Sequence, residues 1–376
     1  MSPRSVLISG AGVAGPTLSY WLARHGFEPT VVERSQGLRS SGNPVDVRGP
    51  ALPVAEGMGI MPRLREVATQ VTDMRVVNAS GRQVARVAMP AIRSAAGNQE
   101  VELPRGDLAA VLYEAARDDT EFLFDDTIVT MRQDEHGVDV TFDQAAPRRF
   151  DLVVGADGLH STVRRLAFGP EADFVRHMGV YVATMPLDGP VDHPHDVLMY
   201  NTPGRLVSIH PSRGRALAAF IFHSPAITGF DYRDTEQHKR IVTEAYADAG
   251  WRVPELLERL QKTEDLYFDS VSQVRLPTWA QDRIALLGDA ASCVSLFGDG
   301  SSLAMAGAHT LAESLARTAD HAAAFRRYEI EHRTLVDPKQ RNIGRATALL
   351  IPKTRMGIAA RNLAARVWLN RRGSNG

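Results

Sequence analysis

The stretch that decides the fold is Arg4-Ser-Val-Leu-Ile-Ser-Gly-Ala-Gly-Val-Ala-Gly15. It starts with a short apolar run, and three glycines follow with the spacing Gly-x-Gly-x-x-Gly. Residues 13–25 then show a helical pattern, and residues 29–33 form a second apolar run. Strand, glycine turn, helix and strand within about 30 residues predict a β-α-β unit of the dinucleotide-binding kind.

Each residue of the glycine turn has a physical role in binding a diphosphate. Gly10 and Gly12 permit a tight turn and close approach of the backbone to the ligand, and Gly15 lets the helix pack on the strand. Val13 and Ala14 begin the helix, whose free N–H groups then face the phosphates. The alternative, a glycine-rich turn without a ligand, is disfavoured because strand, turn, helix and second strand occur in the correct order.

Three acidic residues each follow a predicted buried strand. Glu33 lies 18 residues after the last glycine of the turn, where a carboxylate can bind ribose hydroxyls. Asp157 lies in Asp151-Leu-Val-Val-Gly-Ala-Asp-Gly-Leu-His-Ser-Thr-Val-Arg164, and Asp289 lies in Arg283-Ile-Ala-Leu-Leu-Gly-Asp-Ala-Ala291. Ligands of open α/β sheets bind beyond the carboxyl ends of the strands. For each aspartate taken alone, the alternative is a cap on the following helix.

Composition excludes several classes of protein. The 376 residues suggest two domains, or one large domain with an insertion. The net charge of −1 gives no field that would attract nucleic acid or a membrane surface. Cys293 is the only cysteine, which excludes an intrachain disulfide, a zinc finger and an iron–sulfur cluster, and we predict no metal site. No apolar run reaches the roughly 18 residues of a membrane span, and the amino terminus lacks a signal-peptide core, so we expect a cytoplasmic protein.

The order of the patterns predicts an α/β fold in which a Rossmann-like domain is interrupted by β-rich segments. Residues 73–89 alternate like a hairpin, and residues from 174 to about 274 are mostly strand-like. A buried strand returns at 284–287, and helical patterns continue from about 300. The predicted boundaries are 1–72, 104–173 and 276–337 for the nucleotide-binding domain, 73–103 and 174–275 for a β-rich substrate domain, and 338–376 for a C-terminal helical bridge.

The three motifs in this order resemble those of the class A FAD-dependent aromatic hydroxylases, the monooxygenases of the para-hydroxybenzoate hydroxylase type. Within that family the chain is most similar to the compact branch of tetracycline-inactivating and polyketide-tailoring monooxygenases. The resemblance covers nearly the whole chain. It implies a Rossmann-like FAD-binding domain of the GR2 type with an inserted β-rich substrate domain and a C-terminal helix.

The resemblance also assigns cofactor roles to individual residues. It places the glycine turn and Glu33 on the ADP half of a noncovalently bound FAD, with Arg34 beside the adenosine. Arg105, in Leu-Pro-Arg-Gly-Asp-Leu, matches an arginine that reaches the phosphate and ribityl region. Asp157 matches an Asp-Gly motif tied to both FAD and the reduced nicotinamide, and Asp289 matches a carboxylate that binds the ribityl chain.

Two further segments resemble parts of the family that lie beside the flavin ring. The first is Asn43-Pro-Val-Asp-Val-Arg-Gly-Pro50, which makes Asp46 and Arg48 near-flavin residues; a plain surface or helix-capping charge is the alternative for Arg48. The second contains the cofactor-binding candidates Gly298, Gly300, Ser301 and Ser302. Its glycines allow approach to the pyrimidine edge of the flavin, and the helix that follows aims its positive end at the flavin N1 and C2 carbonyl.

The chain departs from the family pattern at three positions. Ser295 replaces a proline, Asp299 stands where a neutral residue is common, and Gly307 replaces an aspartate. An ionised Asp299 would oppose the negative charge of reduced flavin. The alternatives are that its side chain points to solvent or caps the helix at Ser301.

The resemblance implies an enzyme that takes electrons from NADPH or NADH. Through a flavin C4a-hydroperoxide, it would insert one oxygen atom of O2 into an aromatic or polyketide-like small molecule. A related FAD oxidoreductase that reduces or desaturates its substrate, or a flavin-binding protein without turnover, are the alternatives. The protein is expected to be a monomer or a homodimer.

The predicted substrate contacts lie in the β-rich segment and near the second glycine pair. They are Met199, Ile209, Phe220, Phe222 and Phe297. The first four lie on neighbouring predicted strands, so some of them should face a pocket, and ordinary core packing is the alternative for each.

Overall fold

In the computed structural model of the chain, the strands of the first β-α-β unit belong to a six-stranded sheet. The structure describes residues 4–38, 44–89, 100–189, 192–211, 216–293 and 299–373. The strands of this sheet are β1 (Ser5–Ser9), β2 (Glu28–Glu33), β7 (Glu121–Phe124), β11 (Leu152–Gly155), β17 (Ala280–Gln281) and β18 (Ile284–Leu286), in the order β17-β18-β11-β1-β2-β7. All neighbouring pairs except β17–β18 run parallel. The central strands are apolar and buried because helices cover both faces of a parallel sheet.

A seven-stranded sheet forms the second layer. Its strands are β4 (Asp73–Val77), β5 (Gln83–Ala88), β12 (Val175–Leu187), β13 (Asp196–Thr202), β14 (Arg205–His210), β15 (Ala216–His223) and β16 (Tyr267–Val274), in the order β16-β12-β15-β14-β13-β4-β5. The early hairpin β4–β5 extends this sheet because β4 pairs in parallel with β13. Two smaller sheets consist of β8 (Ile128–Gln133), β9 (Val138–Phe142) and β10 (Arg148–Phe150), and of β3 (Val45–Val47) and β6 (Val101–Leu103).

Helices cover the sheets and join them. They are α1 (Ala14–Arg24), α2 (Ala51–Gly57), α3 (Met61–Val67), α4 (Arg105–Ala116), α5 (Thr162–Ala167), α6 (Thr235–Tyr246), α7 (Val253–Lys262), α8 (Asp289–Ser292), α9 (Asp299–Ala316), α10 (His321–Leu350) and α11 (Arg355–Gly373). The predicted boundary at residue 338 falls inside α10, which continues through Pro338. Among the described residues, no helix has the length and apolar character that a membrane crossing requires.

The two faces of the seven-stranded sheet have different partners, and this corrects three predicted substrate contacts. Ile209, Phe220 and Phe222 lie in the core that the sheet forms with α6 and α7, and each is at most 3% exposed. They line neither of the two cavities described below. Met199 belongs to the opposite face, which packs with Ile351 at the end of α10. The sequence showed that these residues alternate, but not which face the helices would cover.

The glycine at position 307, where the family pattern has an aspartate, is explained by the packing of two helices. Gly307 lies in α9, where a Cβ atom would stand 2.7 Å from Nε2 of His332 on α10. His332 is only 1% exposed, and its ring stacks near Tyr328 with 5.8 Å between centroids. Burial lowers the pKa of His332 to about 4, so the imidazole is neutral at pH 7. The absent side chain at 307 therefore makes room for the close contact between α9 and α10.

This contact predicts opposite effects of one substitution in two backgrounds. Gly307→Ala should destabilise the wild-type protein by about 1–3 kcal/mol, because the methyl group overpacks against His332. In a His332→Ala background the same change should stabilise by about 0.5–1 kcal/mol, since alanine favours a helix over glycine. Urea unfolding of the four proteins measures both values. Equal changes in the two backgrounds would show that His332 does not limit the space at residue 307.

Candidate active site

A cavity of about 340 Å³ lies between the six-stranded sheet and the edge strand β16 of the seven-stranded sheet. Its volume is in the range of small-molecule and cofactor sites. From the second sheet, Tyr267, Phe268 and Asp269 contribute to its wall. The sequence-predicted residues that line it are Gly10, Gly12, Val13, Glu33, Arg34, Arg105, Asp157 and Asp289. The fold therefore brings residues of all three motifs to one space.

The glycine turn has the open side that a ligand needs. Gly10 adopts a φ of 107°, and its N–H donates to the carbonyl of Val32 at 2.7 Å. A Cβ at Gly15 would stand 1.9 Å from the carbonyl oxygen of Gly10, whereas a Cβ at Gly12 would meet no atom within 4 Å. Helix α1 begins at Ala14 directly after the turn. It has no side-chain cap and no acidic residue in its first turn. Its free N–H groups and the bare backbone at Gly12 suit an anionic group.

Glu33 is held against the turn by two backbone amides. Its carboxylate accepts from the N–H of Ala11 at 2.9 Å and from the N–H of Ser35 at 3.0 Å. Next to it, the guanidinium of Arg34 lies 5.8 Å from the ring centroid of Tyr232. The carboxylate is thus fixed at the end of β2, at the rim of the cavity.

Asp157 both lines the cavity and caps a helix. Its carboxylate accepts from the N–H groups of Thr162 and Val163 at 2.8 and 3.1 Å, at the start of α5. It also accepts from the hydroxyls of Ser9 and Ser161 at 3.3 and 2.5 Å. The capping alternative is therefore observed, and it does not remove Asp157 from the cavity wall.

Arg105 and Asp289 both line the cavity, and their opposite charges interact without a direct ion pair. The Arg105 guanidinium makes no hydrogen bond or ion pair within the described part of the chain. Burial raises the pKa of Asp289, and the positive charge of Arg105 opposes that rise. Burial also raises the pKa of Tyr267, so its phenol stays protonated. An arginine without hydrogen-bond partners beside a buried carboxylate is a site prepared for a polar ligand.

The start of α9 lies beside Asp289 on the cavity wall. A Cβ at Gly300 would stand 3.9 Å from Oδ1 of Asp289. The hydroxyls of Ser301 and Ser302 donate to the carbonyl of Asp46 at 2.7 and 2.8 Å, which ties the helix to β3. These hydroxyls thus serve a structural role, and the candidates Phe297 and Gly298 lie outside the described residues.

Asp299 is paired with cations, so it neither stands free in solvent nor only caps the helix. Arg48 donates to its Oδ1 from Nε at 3.1 Å and from Nη2 at 2.8 Å, and Lys339 donates to Oδ2 at 2.9 Å. Arg48 also lies 3.4 Å from Asp46 and 3.7 Å from Glu100. Neither Arg48 nor Asp46 lines the first cavity, so their position beside the flavin stays a prediction. A second cavity, of about 330 Å³ between β3 and α10, is bordered by Arg48, Glu100, Asp299 and Lys339.

His160 is a residue of this site to which the sequence reasoning gave no role. It lines the first cavity, and its ring stacks on Tyr232 at 4.0 Å between centroids. Its ring nitrogens lie 3.0 Å from Glu171 and 3.3 Å from Asp269. Burial disfavours the charged imidazole, but the two carboxylates outweigh burial and raise the pKa of His160 to about 9. Its position three residues after Asp157 was the available signal.

The charge on His160 predicts how stability depends on pH. Because the pKa is raised from 6.5 to about 9, the folded protein binds this proton more tightly than the unfolded chain. The resulting stabilisation, about 3 kcal/mol, is complete below pH 6.5 and is lost as the pH rises to about 9. Urea unfolding at several pH values should show this loss in the wild type and not in His160→Gln. His136→Gln, which changes an exposed histidine, is the control, and a wild-type loss that persists in His160→Gln would contradict the assignment.

Comparisons with known proteins agree with this geometry. The sequence model of the family described as "FAD binding domain" matches residues 4–336. A flavin-dependent monooxygenase of Legionella longbeachae is 35% identical over 89% of this chain and 87% of its own length. An uncharacterized protein of Mycobacterium tuberculosis, Rv1260, is 39% identical over 90% of this chain and 92% of its own length. The crystal structure of tetracycline destructase Tet(55) superposes with a TM-score of 0.85 at 32% identity, covering 97% of this chain and 95% of that one.

Proposed function

Because this chain belongs to the FAD-binding-domain family of flavin-dependent monooxygenases, we propose that it uses NADPH or NADH and O2 to oxygenate a small molecule. The substrate class we propose is aromatic or polyketide-like, which a 32% identical tetracycline destructase supports. One observation carries the proposal: residues from three distant motifs face one cavity, and Arg105 there has no hydrogen-bond partner among the described residues.

The residues around the cavity fit FAD. The open backbone at Gly12 and the start of α1 suit the pyrophosphate, and Glu33 at the end of β2 suits the ribose. Arg105 and Asp289 line the same cavity, and a guanidinium and a carboxylate there suit the phosphate and ribityl part of the ligand. Bound FAD supplies the redox chemistry, including the activation of O2.

The protein side of the reaction consists of binding, orientation and the exclusion of water. Tyr267 and Phe268 of β16 contribute aromatic side chains to one wall of the cavity, which helps to exclude water there. The positive end of α9 lies beside Asp289, where it can stabilise negative charge on a bound ring. Met199, on the sheet face opposite α6 and α7, is buried and also lines neither cavity, so its substrate contact stays a prediction from the sequence.

Substrate-stimulated oxidation of NADPH or NADH under ¹⁸O₂ tests this function. A panel of aromatic polyketides, tetracyclines included, should contain a compound that accelerates the oxidation and gains one ¹⁸O atom by mass spectrometry. Loss or gain of two hydrogens without oxygen would favour the reductase or desaturase alternative. A protein that binds FAD but oxidises neither nucleotide under any of these conditions would favour a flavin-binding protein without turnover.

Replacement of Glu33 tests the ADP end of the site. Glu33→Ala should weaken FAD binding by about 10- to 100-fold, because a charge-assisted hydrogen bond to ribose contributes about 1.5–3 kcal/mol. Glu33→Gln should lose less, since an amide oxygen can still accept from the N–H of Ala11. Quenching of FAD fluorescence gives the dissociation constants. Equal FAD affinity in all three proteins would mean that Glu33 does not reach the ribose.

A further inference from the structure

The carboxylate of Asp299 has a separate cation for each of its oxygens. Arg48 follows β3 and binds one oxygen, and Lys339 reaches from α10 to the other. The Asp299 side chain is 20% exposed and that of Arg48 32%, whereas the Lys339 side chain is half exposed, so the carboxylate is better shielded from water than its lysine partner. Pairs in such positions interact more strongly than pairs in bulk solvent.

Of the two cations, Lys339 contributes more to compensating the negative charge of Asp299. Arg48 is shared, because its guanidinium also lies within 4 Å of the carboxylates of Asp46 and Glu100. Lys339 forms an ion pair only with Asp299 among the residues that the structure describes. Without Lys339, three carboxylates would share the single charge of Arg48, and Asp299 would keep part of its negative charge.

The cluster lines the second cavity and lies at the start of α9, next to Asp289 on the wall of the first cavity. Asp299 is the first residue of α9, and Gly300 directly after it faces Asp289 on the cavity wall. A helix start stabilises nearby negative charge, and an uncompensated carboxylate in its first turn cancels that effect. The net charge at Asp299 therefore determines how well this helix end can stabilise an anion in the cavity.

We propose that Lys339, together with Arg48, is a positioning residue for flavin reduction: it neutralises Asp299, so that the start of α9 stabilises the anionic reduced flavin. The inference rests on the proposed function, because it places the flavin ring at the Asp289 end of the cavity. It also explains how the chain accepts an aspartate at a position where the family resemblance predicts a neutral residue.

Reduction potentials of the FAD-loaded protein, measured without substrate, test the inference. Lys339→Met should lower the two-electron potential by the equivalent of about a tenfold change in the reduction equilibrium, which is 29.6 mV. Asp299→Asn should raise the potential by a similar amount. The double variant Lys339→Met/Asp299→Asn should return close to the wild-type value, because it removes one charge of each sign.

Two controls separate charge from packing. Lys339→Arg preserves the charge and should stay within about threefold of the wild-type equilibrium. Lys353→Met removes an exposed lysine just beyond α10 and should leave the potential unchanged. The FAD dissociation constant and the unfolding of each apoprotein report any loosening of α10 against α9, which would not reverse in the double variant.

Shifts below about threefold in both single variants, or a double variant that fails to reverse the Lys339→Met shift, would overturn the inference. If such proteins still bind FAD and transfer oxygen, the proposed function stands and only the role of Lys339 fails. A wild-type protein that does not bind FAD would overturn both.

Discussion

Gly12→Ala is expected to weaken FAD binding by about 100-fold or more while leaving the apoprotein folded. A Cβ at this position meets no protein atom within 4 Å, and Gly12 lines the first cavity. The added methyl group would therefore occupy the space of the pyrophosphate and remove hydrogen bonds to a charged group, at a cost of about 3 kcal/mol. FAD titration by fluorescence and urea unfolding of the apoprotein measure the two effects separately.

Gly15→Ala is the matched substitution within the same turn, and the opposite pattern is expected. Its Cβ would stand 1.9 Å from the carbonyl oxygen of Gly10, and backbone cannot yield as a flexible side chain does. The apoprotein should lose about 3 kcal/mol of stability or more. If Gly12→Ala unfolds the apoprotein, or binds FAD as the wild type does, the open side of the turn is not the ligand space.

Arg105→Met should weaken FAD binding by roughly 30- to 4,000-fold. The guanidinium has no hydrogen-bond partner among the described residues, so its polar atoms are available to the ligand. Removing one partner of a buried, hydrogen-bonded charge pair costs about 2–5 kcal/mol. Asp289→Asn and the double variant complete a double-mutant cycle. Because Arg105 and Asp289 interact, the losses of FAD binding free energy in the two single variants should not sum to the loss in the double variant.

An arginine at the other end of the same helix provides the control for this cycle. Arg117 follows α4, lies at the surface and pairs with Glu114. Arg117→Met removes the same chemical group and should leave the FAD dissociation constant unchanged. A strictly additive cycle, or equal losses at Arg105 and Arg117, would place Arg105 outside the cofactor site.

Much of the candidate site was predictable because its residues belong to local motifs. The predicted FAD-binding α/β fold and monooxygenase family are confirmed by the matching family and relatives. The glycine turn, Glu33, Asp157 and Asp289 follow strands at fixed offsets, and parallel strands bring their carboxyl ends to one edge of the sheet. The predicted domain boundaries stay a prediction, with the one at 338 inside α10.

The substrate side was less predictable, because alternation along a strand does not say which face a helix will cover. Ile209, Phe220 and Phe222 have the same apolar character as Met199, yet they pack behind the sheet against α6 and α7. His160 was also missed, since a histidine in a turn shows its charge only beside the carboxylates that the fold brings to it.

The sequence by itself determined the β-α-β unit, the position of the cofactor motifs and the family, because spacing along the chain decides which backbone can turn, cap and approach a phosphate. Only the tertiary structure decided the state of Asp299 and the reason for Gly307. Arg48 is 251 residues away from Asp299, and His332 meets Gly307 only where α10 packs on α9. The charge of a carboxylate and the space at a glycine depend on such distant neighbours, and no local pattern in the sequence records them.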